Sequence, residues 1–144
     1  MLEIERISER DLPELAALFR ELSGREQSLE KMKISFSNIE KNEEYIVLGA
    51  KIGGRLAGSV MGIVCHDLVD DCRPFMVIEN VIVAEEFRRA GVGRALMKCI
   101  EDICIERDCC YSMLVSGSQR TDAHRFYESI GYGHDVVRGF KKFF

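Results

Sequence analysis

The sequence predicts one α/β (α+β) domain, in which a mixed, largely antiparallel sheet of six or seven strands carries helices on both faces. Two runs rich in β-forming residues, 44–52 and 55–65, flank a Gly-Gly dipeptide at 53–54, an arrangement typical of an antiparallel hairpin. A glycine-containing turn and an amphipathic helix then connect the apolar run 75–83 to a shorter run at 111–115. This order is typical of a right-handed crossover between parallel strands. A length of 144 residues suffices for one hydrophobic core, so we expect a single domain over residues 1–144.

The N-terminal third predicts one strand and two helices. Residues 1–7 alternate apolar and charged side chains, as a half-buried strand does. Asp11 and Glu14 stand at capping-box spacing before apolar positions that repeat with helical period as far as Gly24. A less regular helical pattern covers residues 28–38.

The C-terminal half predicts two further helices and a final hairpin. Residues 66–74 contain three aspartates and indicate a loop. The helix after the glycine-containing turn is expected to end near Asp108, and a second, short helix is expected to end at Gly131. The tail, residues 132–144, predicts a closing hairpin.

Composition excludes several classes of function. The net charge of −4 argues against a nucleic-acid partner, which would require clustered Lys and Arg side chains. No apolar run reaches the roughly 18 residues that span a bilayer, and the N-terminus lacks a basic segment followed by an apolar one, so we expect a cytoplasmic protein with no membrane partner. The six cysteines show no Cys-x-x-Cys pair and are interpreted as reduced thiols, with no metal site.

The most informative stretch is residues 87–94, Phe-Arg-Arg-Ala-Gly-Val-Gly-Arg, between a strand and a helix. Glycines let the backbone approach a ligand closely, and the amides at a helix N-terminus bind anions, so this turn predicts a pyrophosphate site. A dinucleotide-binding fingerprint would need a third glycine where Leu96 stands, and the Gly-Lys-Ser/Thr ending of a P-loop is absent. The alternative is a solvated, basic helix start. The residues expected to bind the phosphates are Arg88, Arg89, Ala90, Gly91, Val92, Gly93 and Arg94.

The order arginine, two residues, glycine, one residue, glycine after an apolar strand resembles the acyl-CoA-binding motif of the GNAT superfamily of N-acetyltransferases. About thirty residues downstream, the run 123–132, Ala-His-Arg-Phe-Tyr-Glu-Ser-Ile-Gly-Tyr, resembles the second signature of that superfamily. The resemblance implies the GNAT fold and acetyl-CoA as cosubstrate. It also implies that the strands on either side of the first helix splay apart and that the pantetheine arm binds the backbone of Val81, Ile82 and Val83.

Glu79 is the candidate general base. Strict alternation along the strand would put it on one face with apolar neighbours that include Val77 and Val81, and desolvation there would raise its pKa. The resemblance implies a carboxylate on this strand that acts through water. A salt-bridged or solvent-facing glutamate remains the alternative, and a bulge in the strand would change the alternation.

Tyr127 is the candidate general acid, because the resembled family usually has a tyrosine at this position whose hydroxyl faces the CoA sulfur. The alternative is a core aromatic. Phe126 is interpreted as mainly a core residue, although its place in the motif counts it among the cofactor-binding positions. Arg120 stands where many members of the family have asparagine, and it would pair instead with a CoA phosphate or with the acceptor.

These observations predict an acetyl-CoA-dependent N-acetyltransferase that transfers an acetyl group to a primary amine, expected to be that of a small molecule, by direct attack in a ternary complex. Two alternatives stay open: a non-catalytic CoA-binding sensor or interaction module, and a protein or peptide N-acetyltransferase. The acceptor would be read by residues 23–42 and 66–74, which carry no motif. Phe140, Phe143 and Phe144 would pack on the sheet or on a second subunit, which leaves a homodimer open.

Overall fold

The computed structural model describes residues 1–133 and 135–144, which form two compact units, Met1–Met113 and Leu114–Phe144. The first unit contains one five-stranded sheet in the order β1-β2-β3-β4-β5. Its strands are β1 (Leu2–Arg6), β2 (Tyr45–Ile52), β3 (Arg55–Cys65), β4 (Phe75–Val83) and β5 (Ser112–Met113). The first four strands pair antiparallel, and β4 and β5 pair parallel.

The predicted helices are present. They are α1 (Leu12–Ser23), α2 (Leu29–Glu40) and α3 (Val92–Glu106) in the first unit and α4 (Thr121–Ser129) in the second. Short 3₁₀ turns at Glu9–Asp11 and Glu85–Phe87 precede α1 and the glycine-containing turn. Gly24 and Gly131 follow α1 and α4 with φ of +71° and +99°, a conformation that glycine adopts without strain, and this confirms both predicted stops.

The sheet has five strands, and the prediction of six or seven was wrong. The strand expected at 111–115 is reduced to Ser112–Met113, and no described residue after α4 forms a strand. His134, within the predicted closing hairpin, lies outside the described residues. Val136 and Val137 of that segment are both exposed. Adjacent residues of a strand point to opposite faces, so a strand here could not bury both valines on one face of the sheet. Phe140, Phe143 and Phe144 are exposed as well.

Helices cover both faces of the sheet in the first unit. On one face, residues of α1 and α2 form a core with residues of β3 and β4: Leu12, Leu15, Leu18, Phe36, Leu56 and Ile82. On the other face, α3 packs so closely on β3 that a Cβ atom added at Gly62 would lie 2.9 Å from Ile100. The hairpin predicted at 53–54 is confirmed, with Ile52 opposite Arg55.

The capping box predicted for Asp11 and Glu14 was wrong. The box forms one turn earlier, where the Asp11 carboxylate accepts a hydrogen bond from the Ser8 amide over 2.8 Å. The Glu14 carboxylate instead accepts the amide of Leu56 over 2.9 Å and so ties α1 to the start of β3. Spacing alone cannot distinguish these two arrangements, because Ser8 and Asp11 show the same three-residue separation.

No helix among the described residues is both long enough and apolar enough to cross a membrane.

Candidate active site

A β-bulge interrupts β4 in the middle of the candidate site. Met61 pairs with Glu79 and Ser59 with Ile82, so two steps along β3 correspond to three along β4. The extra residue lies at Asn80, whose φ is +56°, a left-handed conformation that asparagine tolerates better than most residues. Because of this extra residue, side chains that strict alternation would put on one face of the sheet lie on opposite faces before and after the bulge.

Because of the bulge, the strict alternation assumed for Glu79 fails. Glu79 lies opposite Met61, on the face covered by α1 and α2. Val83 lies opposite Gly58, on the other face, where α3 packs. Glu79 is partly buried and does not share one apolar row with the valines that follow it.

The second half of β4 has an open edge within the first unit. The parallel pairing with β5 involves only Met76 and Val77 of β4. The Ala84 amide donates to Ala57 of β3 over 2.8 Å, so the alternating amides of Val81 and Val83 point away from β3, toward the open edge. Ile82 differs from its two neighbours, since its side chain is buried in the core and its backbone faces β3.

The glycine-containing turn joins this edge to the N-terminus of α3. Arg89 and Gly91 have φ of +66° and +79°, and the first hydrogen bond of the helix runs from the Ala95 amide to the Gly91 carbonyl. The amides of Val92 and Gly93 therefore precede the hydrogen-bond ladder of the helix, where they are placed to bind an anion. The Val92 side chain is buried, whereas Arg88, Arg89, Ala90, Gly91 and Arg94 are exposed.

Arg88 connects the turn to the strand, because its Nε atom donates to the carbonyl oxygen of Val83 over 3.3 Å. The same region depends on Gly58, which sequence reasoning missed. A Cβ atom at Gly58 would lie 2.7 Å from the carbonyl oxygen of Ile82 and 3.0 Å from Val92 Cγ1. Only glycine lets β3, the bulged half of β4 and the start of α3 approach one another this closely. A glycine within a β-rich run is the signal that could have revealed it.

Two carboxylates of α1 also hold this region, and sequence reasoning missed both contacts. Glu14 accepts the Leu56 amide at the start of β3, and Glu21 accepts the Glu85 amide over 3.4 Å, just before the turn. At the protein surface, the Arg55 guanidinium forms a salt bridge with Glu86 over 2.6 Å and lies 5.3 Å from the centre of the Phe87 ring. Residue spacing gives no signal for contacts between segments this far apart in the chain.

The second unit contains Arg120, Phe126 and Tyr127. Tyr127 is buried, with 8% of its surface exposed, and its ring meets that of Tyr132 edge-on, with ring centroids 6.4 Å apart. Phe126 is half-buried and lies tilted against Tyr127, with centroids 5.4 Å apart. Burial raises the pKa of the Tyr127 phenol, and the positive charge of Arg120 acts in the opposite direction. The phenol is therefore protonated at neutral pH and able to donate a proton.

Two other basic side chains beside the motifs have carboxylate partners. Lys98 forms a salt bridge with Asp102 one turn along α3, and Arg125 faces Asp122 over 3.7 Å. All six cysteines are free. Burial raises the pKa of Cys104 to about 12, which makes this thiol unreactive as a nucleophile.

Comparison with known proteins gives a family. A model described as the acetyltransferase (GNAT) family matches residues 5–132 of the chain. A solved structure described as a transcriptional regulator from Bacillus halodurans C-125 is similar over 100% of both chains, with 24% identity and a TM-score of 0.91.

Two further structures of named acetyltransferases are similar. The aminoglycoside N-acetyltransferase AAC(6')-Iy, solved in complex with CoA, has 17% identity and a TM-score of 0.83, over 99% of this chain and 95% of that one. The ribosomal-protein-alanine N-acetyltransferase from Brucella melitensis biovar Abortus 2308 has 20% identity and a TM-score of 0.79, over 99% of both chains. At these identities the likeness of the solved structures shows the fold alone.

Proposed function

The chain belongs to the GNAT acetyltransferase family, and from this premise we propose that it transfers the acetyl group of acetyl-CoA to the primary amine of a small molecule in a ternary complex. The observation that carries the proposal is the open edge of β4, which leads directly into the glycine-containing turn and the N-terminus of α3. A cytoplasmic location belongs to the same proposal, and the six free thiols support it, since they suit a reducing compartment.

The turn and the open edge would bind two parts of CoA. The amides of Val92 and Gly93, with the exposed guanidinium groups of Arg89 and Arg94, would hold the pyrophosphate. The amides of Val81 and Val83 would bind the pantetheine arm in the manner of an added strand. The similar aminoglycoside acetyltransferase contains CoA, which supports this assignment.

In the proposed reaction, the lone pair of the acceptor nitrogen attacks the thioester carbonyl carbon and forms a C–N bond. The carbonyl oxygen becomes an oxyanion, which the Val81 amide would stabilise. The tetrahedral intermediate then collapses, the C–S bond breaks, and CoA leaves. One proton passes from the amine to a base, and one passes from an acid to the departing sulfur, so no acyl-cysteine intermediate is required.

Glu79 would be the base, acting through a water molecule. Its carboxylate is partly buried and lies beside the bulge, immediately before the amides of the open edge. Removing a proton from the attacking amine requires a carboxylate that water reaches, and a partly exposed side chain meets this requirement.

Tyr127 would be the acid. Its phenol is protonated at neutral pH because burial raises its pKa, and a thiolate is basic enough to take that proton. Arg120 would assist, since its positive charge favours the phenolate that remains. This role would replace the contact that an asparagine makes in many members of the family.

A second candidate is a CoA-binding sensor or interaction module without turnover. It is favoured by the similar structure from Bacillus halodurans C-125, which is described as a transcriptional regulator. A protein or peptide acceptor is the other alternative, supported by the similar ribosomal-protein-alanine N-acetyltransferase.

One assay separates these candidates. Purified protein is mixed with acetyl-CoA and a panel of small primary amines and N-terminal peptides, and free thiol is followed over time. The proposal expects sustained thiol release with small amines and little with peptides. CoA binding by calorimetry without turnover on any acceptor would favour the sensor, and release with peptides alone would favour the peptide acceptor.

A further inference from the structure

A cavity of about 220 Å³ lies between α2 and the strands β1 and β2. Its lining is mainly apolar and includes Phe36 and Ile39 of α2 with Tyr45 and Val47 of β2. Apolar cavities of about 150 Å³ bind benzene, so this volume accommodates a phenyl or branched aliphatic group.

Two exposed side chains of opposite charge, Arg6 and Glu40, also line the cavity. Their exposure means that the cavity is reached from solvent. Because their charges cancel, the cavity favours a group that carries no net charge, and its lining favours an apolar one.

A row of side chains connects this cavity to the candidate base. Val47 lies opposite Met61, and Met61 lies opposite Glu79, so all three share the face covered by α1 and α2. Neighbouring strands are about 4.8 Å apart, which places Glu79 about 10 Å from Val47 across two strand spacings. A parallel row of Tyr45, Ile63 and Val77 runs beside it. All six residues are partly exposed, so the floor between the cavity and Glu79 is open to a ligand.

We propose that this cavity holds the apolar group of the acceptor, which is a small primary amine whose aromatic or branched aliphatic group extends to about 10 Å from the nitrogen. The inference rests on the proposed function and adds the substrate class. The ammonium group would be attracted to Glu79 at one end of the row, and the apolar group would be buried against Ile39 and Phe36 at the other.

The test compares two amines on two matched variants of α2. The amines are 4-phenylbutylamine, whose ring reaches the cavity, and propylamine, which is too short to do so. Ile39→Phe fills the cavity, whereas Ile34→Phe makes the same change at a position of α2 that is 62% exposed. We expect the ratio of kcat/KM for 4-phenylbutylamine over propylamine to fall about tenfold in Ile39→Phe and to stay within about twofold in Ile34→Phe. Equal ratios in the two variants would overturn the inference.

A binding measurement keeps the inference testable if no amine is acetylated, or if Ile39→Phe does not fold. Unmodified protein with labelled methyl groups is titrated with 4-phenylbutylamine without acetyl-CoA, and the methyl resonances of Ile39 and Val47 are followed. Shifts confined to these methyl groups support the cavity as a binding site even where the proposed reaction fails. Unchanged resonances at saturating amine would overturn the inference even where the reaction succeeds.

Discussion

The guanidinium Nε of Arg88 donates a hydrogen bond to the carbonyl oxygen of Val83 over 3.3 Å and so holds the glycine-containing turn against the end of β4. Arg88 is the first residue of the arginine and glycine pattern that identified the turn. Its side chain therefore has a structural partner as well as a charge beside the proposed phosphate site.

Replacing Arg88 by alanine is expected to weaken CoA binding about tenfold, because the turn loses its hydrogen bond to β4 and one positive charge. Arg88→Lys keeps the charge but lacks the planar guanidinium, so its affinity for CoA should lie between those of the unmodified protein and of Arg88→Ala. Calorimetric titration with CoA measures the effect. Arg10→Ala, at an exposed position far along the chain from the turn, removes the same charge and should leave the affinity within about twofold. An equal loss in both alanine variants would reduce the role of Arg88 to general electrostatics.

Gly91→Ala is expected to weaken CoA binding and to destabilise the protein by about 1–2 kcal/mol, because the residue has φ of +79° while an added Cβ would meet no atom within 4 Å. The cost is therefore one of backbone conformation rather than crowding. Gly53→Ala is the matched control: φ is +57°, and the space around it is equally empty. Urea unfolding should show a similar loss of stability in both variants, whereas only Gly91→Ala should bind CoA more weakly. Unchanged CoA affinity in Gly91→Ala would separate this turn from the ligand.

Local patterns predicted much of this fold. The Gly-Gly pair at 53–54 predicted the hairpin, and the apolar repeat of α3 with the glycines before it predicted the crossover to β5. Both features depend on residues that are neighbours in the chain. The motif around Gly91 predicted the start of the helix for the same reason.

Features that depend on distant segments could not be predicted in this way. The bulge at Asn80 exists because β3 fixes the register on both sides of it, and that pairing is not visible in the sequence of β4. Glu14 fits two hydrogen-bonding arrangements by spacing, and the nearby start of β3 decides between them. Gly58 is required only because β4 and α3 both approach it. The prediction of a hairpin in the tail was wrong because turn residues indicate only where a strand could end. They do not show that a sheet edge is available for pairing.

Tyr127→Phe is expected to lower kcat about a hundredfold while leaving CoA affinity within about twofold, because it removes the proton donor and keeps the buried ring. Since burial raises the pKa of the phenol, activity that needs the protonated form should persist at neutral pH and fall only at alkaline pH, above the ordinary value of 10. The variant should lack this alkaline fall. Steady-state rates across pH, with calorimetry for CoA, measure both effects. A parallel loss of rate and CoA affinity would make Tyr127 a structural residue.

Glu79→Gln is expected to lower kcat at neutral pH about a hundredfold, because the amide cannot accept the proton of the acceptor amine while its size is nearly unchanged. Thiol release with a small amine measures the rate, and CoA binding should persist because the proposed contacts with CoA are made by other residues. Glu3→Gln, an exposed carboxylate on β1, is the control and should leave the rate within about twofold. A rate close to that of the unmodified protein in Glu79→Gln would exclude this carboxylate as the base.

Lys51 joins β2 to the start of α1 through Asp11, and this contact predicts how stability depends on pH. Burial acts to raise the pKa of the Asp11 carboxyl, but hydrogen bonds from Lys51 and Ser8 outweigh it, and the pKa lies below the ordinary value of 3.8. The stabilisation is therefore fully present above pH 3.8 and lost as the pH falls through the lower, folded-state value.

Asp11→Asn should cost about 1.5–3 kcal/mol at neutral pH and should flatten the acid limb of the urea midpoint plotted against pH. Glu5→Gln removes the other partner of Lys51. Because the Glu5 side chain is 50% exposed, this change should cost less than about 1 kcal/mol. Equal losses in the two variants would show that the burial of Asp11 adds nothing to this ion pair.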